Sequence, residues 1–181
     1  MRDTFLKIYD YYGKALWGFA MLAGGLTFAI MLVICANALT RKLLNWPLPA
    51  ALEITQALLV GAIMLPFAFT LLKREHVSTV FLTSRLSVGA RRWLHLMWAV
   101  LGFLLFAAVT YGTYHYALRS YRMNEQIWGA TIQFAVWPAK MAVSLGTLLI
   151  TLQFLLDAVG FTLIRNFRAE DDQNPELHGN V

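Results

Sequence analysis

The sequence predicts an all-α integral membrane protein with four transmembrane helices and both termini in the cytoplasm. Three observations carry this. First, Ala15 to Thr40, Ile54 to Leu72 and Trp93 to Leu118 contain no Asp, Glu, Lys or Arg, and Gln126 to Leu156 is interrupted only by Lys140. A helix crosses a bilayer with roughly 20 mostly apolar residues, so each stretch is long enough. Second, 59 % of residues are hydrophobic and 14 % charged, against about 25 % charged in soluble domains. Third, Lys and Arg gather at the ends of the apolar stretches and divide unequally between two sides. The N-terminus (Arg2, Lys7, Lys14), the segment between spans two and three (Lys73, Arg74, Arg85, Arg91, Arg92) and the C-terminal tail (Arg165, Arg168) hold ten. The opposite side holds four, Arg41, Lys42, Arg119 and Arg122. The positive-inside rule then places both termini in the cytoplasm.

The expected organisation is one transmembrane domain over 1–164, with spans near 15–40, 50–72, 91–118 and 133–156, and a polar, disordered tail over 165–181. Span one is read as retained rather than cleaved, because its apolar run exceeds a signal-peptide core. Its single Cys35 is read as a small apolar core residue. Between spans one and two, Trp46-Pro47-Leu48-Pro49 stops one helix and starts the next, since proline disfavours helix at the residue before it and suits a first helical position. Glu53 then falls in a first turn, where a carboxylate suits the helix dipole. Between spans two and three, Val77–Leu86 reads either as a short interfacial helix or as an extension of span two. Span four contains Trp137-Pro138, which either kinks the helix or marks its first turn, and Lys140, within snorkelling reach of the interface. Small residues four apart (Ala20 and Gly24, Gly25 and Ala29, Ala57 and Gly61, Ala108 and Gly112, Ala142 and Gly146) allow close helix approach in lipid.

Chemistry is sparse. The net charge of +5 forms no stripe with interleaved aromatics, so nucleic-acid binding is a poor reading. The histidines inside spans, His95 and His115, share one helix about 30 Å apart at 1.5 Å per residue and cannot grip one haem iron. They read as interfacial residues. No HExxH, CxxC or carboxylate pair lies within the spans, and Ser144 with Lys140 is a weak imitation of a Ser–Lys dyad. No catalytic, metal-binding or cofactor-binding residues are assigned, and the chain reads as a non-enzymatic accessory subunit. A membrane anchor of a respiratory redox enzyme is the alternative.

Order and spacing of loose motifs sharpen this. Asn37-x-x-x-Arg41 closes span one, a proline-containing turn follows, Glu53 opens span two, Gly61-Ala62 sit in its middle, and Lys73-Arg74-Glu75-His76-Val77 closes it. With Trp137-Pro138, this resembles the small membrane subunit (the DctQ-like, or Q, subunit) of tripartite ATP-independent periplasmic (TRAP) transporters, over roughly 10 to 160. Many members place an Asp four residues after the histidine, where this chain has Val80. The resemblance implies a scaffold subunit of a sodium-coupled transporter in a bacterial or archaeal cytoplasmic membrane. It pairs with a large subunit that carries substrate and Na+ and helps dock a periplasmic substrate-binding protein for organic-acid uptake. It also implies residue roles. Asn37 and Arg41 organise the outer end of span one. Glu53 faces Arg41 as an ion pair or makes a partner contact, and His76 fixes the turn at the inner end of span two. Arg119, Arg122 and Glu125 either meet the binding protein or form a solvated, lipid-phosphate-contacting loop. Bound phospholipid is expected at the basic span ends.

Overall fold

In a computed structural model, the structure describes residues 2–73, 88–128 and 133–163. His76, Val77–Leu86, Val80 and the 165–181 tail lie outside the described residues. Helix α1 runs over Arg2–Leu43, α2 over Ala51–Met64, α3 over Phe67–Lys73, α4 over Val88–Arg122 and α5 over Trp137–Leu163. A two-stranded hairpin, β1 (Gln126–Trp128) and β2 (Gln133–Ala135), joins α4 to α5. Four helical stretches, with α2 and α3 counted as one, are long and apolar enough to cross a membrane.

Helix α1 begins well before the expected span, because its first turns hold no helix breaker and Asp10 and Lys14 pair at i,i+4 across 2.8 Å. At about 63 Å it is twice as long as a bilayer core is thick. It ends where Asn45 takes a left-handed conformation (φ 53°), which asparagine tolerates. The Thr40 carbonyl accepts from the Leu44 and Trp46 N–H groups there, at 2.9 and 3.4 Å. Ala50, also left-handed, caps α2, and Glu53 lies in its first turn.

Span two is not one helix. Pro66 lacks the N–H that would continue the ladder, and the chain turns at Leu65–Pro66 before α3 resumes. Span four also departs from expectation. The helix starts at Trp137 rather than near Gln133, so Pro138 marks its first turn. The residues ahead of it pair antiparallel, with Gln126 opposite Ala135, Ile127 opposite Phe134 and Trp128 opposite Gln133. Proline is tolerated at a helix start, where an unpaired donor is expected anyway.

α5 is the central element. It packs along α4 and also touches α2 and α3, while α1 lies against α2 and α3. Leu16, Ala68, Leu149 and Ile150 form the core, flanked by Tyr12, Phe19, Phe106 and Phe154. Two of the five small-residue pairs contribute close approaches. A Cβ on Gly61 would lie 3.0 Å from Leu26 Cδ1, and one on Gly146 would lie 2.7 Å from the Met64 carbonyl oxygen. Gly24, Gly25 and Gly112 have nothing within 4 Å of a built Cβ. Between α4 and α5, Thr110 and Thr151 hydroxyls meet at 3.0 Å, and those of Thr113 and Thr147 at 3.3 Å. Thr151 donates to the Thr147 carbonyl, which leaves Thr110 the donor of its pair. In the second pair one hydroxyl donates across while the other donates to a carbonyl of its own helix, Thr113 to Val109 or Thr147 to Ser144.

Candidate functional site

Polar side chains concentrate at the two ends of the bundle. At the end formed by the α1 C-terminus, the hairpin and the α5 N-terminus, Asn37 Oδ1 accepts a hydrogen bond from the Leu48 N–H at 3.0 Å. The Asn37 carbonyl accepts from Thr40 Oγ1 at 3.2 Å. Asn37 thus ties the proline-containing connection back onto the helix that precedes it. An N–H flanked by Pro47 and Pro49 cannot join a regular ladder, and the side-chain oxygen satisfies it.

Arg41 and Glu53 do not pair. Among the described residues no ion pair within 4 Å joins them, and Glu53 lies in the first turn of α2, where its carboxylate suits the helix dipole. Asn37 already tethers the connection between the two helices, so the geometry does not depend on that pair.

Glu125 has a different partner. Its carboxylate takes Lys140 Nζ at 2.5 Å, and the same ammonium lies 4.0 Å from the Tyr116 ring centroid. Lys140 is therefore not simply extended toward water; Glu125 and Tyr116 hold it. The hydrogen-bonded Lys140 ammonium keeps the Glu125 carboxyl below its ordinary value. Backbone bonds brace the same corner: the Glu125 N–H reaches Ser120 O, and the Val136 N–H reaches Glu125 O. Tyr121 meets Trp137 edge-on with ring centroids 5.2 Å apart. With its ammonium so engaged, Lys140 makes no bond to Ser144, whose own hydroxyl is buried one turn along α5.

Arg119 and Arg122 are exposed in the last turn of α4, and no ion pair among the described residues engages either. The carboxylate expected beside them belongs to Lys140. His115 is flanked by Tyr111 at 4.5 Å and Tyr114 at 5.8 Å. Cys35 is exposed on α1 rather than placed in a core, because α1 turns that face outward.

The opposite end holds a grouping that the sequence reading did not contain. Gln153, fully buried on α5, donates through Nε2 to Asp157 Oδ1 at 3.1 Å and to the Tyr9 hydroxyl at 3.3 Å. Tyr9 donates to the same Asp157 oxygen at 3.2 Å, and Tyr12 donates to the Leu149 carbonyl at 2.6 Å. Tyr9 and Tyr12 lie one turn apart on α1, and Leu149, Gln153 and Asp157 step along α5 at i,i+4. That double periodicity was the available signal. These bonds lock the first turns of α1 to the last turns of α5, so both helix ends share one side of the bundle. On α4, His95 stacks on Phe161 with ring centroids 5.5 Å apart, near the start of α4 and the end of α5. Among the described residues no group of three or more His, Cys, Asp or Glu is placed to hold a metal ion.

The comparison with protein families agrees with this bundle. Residues 30–162 match the family described as tripartite ATP-independent periplasmic transporters, DctQ component. The chain belongs to the DctQ family. Its DctQ region takes in the last third of α1, the whole of α2 to α4, the hairpin and nearly all of α5, and therefore both bracing sites except Tyr9 and Tyr12. No curated protein matches the chain. A DctQ component belongs to a tripartite transporter, so the chain is a transporter subunit embedded in a membrane.

Proposed function

We propose that this DctQ subunit is the scaffold of a sodium-coupled TRAP transporter for an organic acid. It sits in a bacterial or archaeal cytoplasmic membrane with both termini in the cytoplasm. It pairs with a large subunit that carries Na+ and substrate, and its hairpin end faces the periplasm, where a substrate-binding protein docks. The observation that carries this reading is the outward face of α1. Trp17, Met21 and Phe28 are more than half exposed, and Gly24 and Gly25 leave the backbone open between them. Small residues among large apolar ones let a second helix approach closely in lipid. The ten basic residues on the terminal side support the orientation. Asn37 and the Lys140–Glu125 pair give the periplasmic end a braced shape, with Arg41 and Glu53 available for partner contacts.

The test is co-purification. The chain is expressed with its chromosomal neighbours and captured by a C-terminal tag, and its companions are identified by mass spectrometry. A stoichiometric, highly apolar multi-span protein is expected, with sodium-dependent uptake in the reconstituted pair. A water-soluble flavin or iron–sulfur partner would overturn the reading. Substituting Gly24 and Gly25 by leucine is expected to reduce recovery of the large subunit while the chain still reaches the membrane. Unchanged recovery would move the interface off this face.

A further inference from the structure

Helix α4 presents one continuous face away from α5. Thr110, Thr113, Ala117 and Ser120 turn toward the bundle, whereas Leu101, Leu104, Tyr111, His115, Arg119 and Arg122 fall on the opposite side and are exposed. The face is ordered by chemistry along its length. Its lower part is aliphatic, its middle carries Tyr111 in edge contact with His115, and its end carries two guanidinium groups. Among the described residues neither Arg119 nor Arg122 makes an ion pair within 4 Å; Glu125 bonds Lys140 and acts on Arg119 only at longer range. From Leu104 to Arg119 the helix rises about 22 Å. That matches the depth of one leaflet with its headgroups, half of a bilayer about 40–45 Å thick.

We propose that this face of α4 is a binding site for an anionic phospholipid. The headgroup phosphate is held between Arg119 and Arg122, Tyr111 and His115 lie beside the glycerol ester region, and an acyl chain runs along Leu104 and Leu101. Arginine suits the role because its planar donor fork matches phosphate oxygens, where a lysine offers a point charge. Of the two roles open to Arg119 and Arg122, contact with a soluble protein or with lipid phosphate, the second fits their place on the lipid-facing row. The inference rests on the bilayer-spanning fold and stands apart from the identity of the transported substrate.

The test is lipid retention by the full-length chain in detergent, read by native mass spectrometry after addition of phosphatidylglycerol or phosphatidylcholine. Phosphatidylglycerol is expected to remain bound preferentially. Arg119→Gln with Arg122→Gln is expected to lower its retention about tenfold or more, since it removes both charge-assisted contacts to the phosphate. Arg119→Lys with Arg122→Lys, which keeps the charge, is expected to fall between wild type and the glutamine pair and guards against loss of folding. Soluble glycerol phosphate is expected not to displace the lipid. Equal retention of the two lipids, or unchanged phosphatidylglycerol retention by the glutamine pair, overturns the proposal. So does a glutamine pair that retains the lipid but no longer captures the soluble binding protein, which would make this face a protein-docking surface.

Discussion

Asn37 shows how a single side chain can substitute for secondary structure. Pro47 and Pro49 break the backbone ladder on either side of Leu48 in the connection between α1 and α2, and the Leu48 N–H finds the Asn37 oxygen instead. Asn37→Ala is expected to destabilise the protein by about 1 kcal/mol, the usual net worth of one such bond. Asn37→Asp, which keeps an acceptor, is expected to lose less. Thermal unfolding in a fixed detergent checks both, and an unchanged midpoint for Asn37→Ala removes the tether from the account. Glu125 provides the pH dependence. Its folded carboxyl lies below the ordinary value. Its contribution is therefore complete above the ordinary glutamate range, near about 4.3, and is lost as pH falls through the lowered value. The pair reaches solvent, so the effect belongs to the hairpin corner rather than to global stability. Protection of the hairpin amides, measured relative to their intrinsic exchange at each pH, is expected to be equal at neutral pH and about pH 5 and to fall only in more acidic solution. Glu125→Gln is expected to show the lower protection throughout. A wild-type change centred above the ordinary range would refute this.

At the scale of elements, the decisive feature is the break in span two and what faces it. The turn at Leu65–Pro66 brings the Met64 carbonyl against α5 where only a glycine hydrogen fits. Gly146→Ala is expected to cost about 1–3 kcal/mol, because a Cβ there meets backbone that cannot rotate away. Gly112→Ala, with nothing within 4 Å, is expected to be neutral or slightly stabilising. Unfolding in mixed micelles compares them, and equal effects would place Gly146 outside the packing contact. Pro66 was visible in the sequence, yet a hydropathy window averages over one proline, and span two read as continuous. The hairpin escaped notice for a related reason. Ile127, Trp128 and Phe134 are as apolar as any span residue, so hydropathy ran one uncharged stretch through both strands and the expected helix took in β2.

At the scale of the molecule, the first turns of α1 bury one apolar side chain, Phe5, beside Tyr9. They extend past the expected span and carry Arg2, Asp3, Lys7 and Asp10. What docks them is Tyr9 and Tyr12 on Leu149, Gln153 and Asp157. Gln153→Leu with Tyr9→Phe is expected to release this end. Amide exchange over residues 4–14 should accelerate severalfold while α4 and α5 stay protected, a local opening below the global stability. Uniform acceleration across all helices would make the grouping a general stability element instead. The remaining open faces of α1 and α4 are consistent with a subunit that completes its packing only within a larger assembly.

By itself the sequence determined the number of spans, the gathering of charge at their ends, the family, and the importance of the turn after Asn37. The first two depend on the contrast between water and hydrocarbon, which hydropathy measures, and the last two on the order of a few polar residues and prolines. The tertiary structure alone decided that Met64 meets Gly146, that Lys140 turns to Glu125 and leaves Arg41 and Glu53 apart, that Gln153 gathers Tyr9 and Asp157, and which glycines stay open. Lipid tails are as apolar as leucine, so a membrane helix carries no hydrophobic mark for which face meets another helix. That choice is made by shape and by a few hydrogen bonds, and both exist only once the helices are side by side.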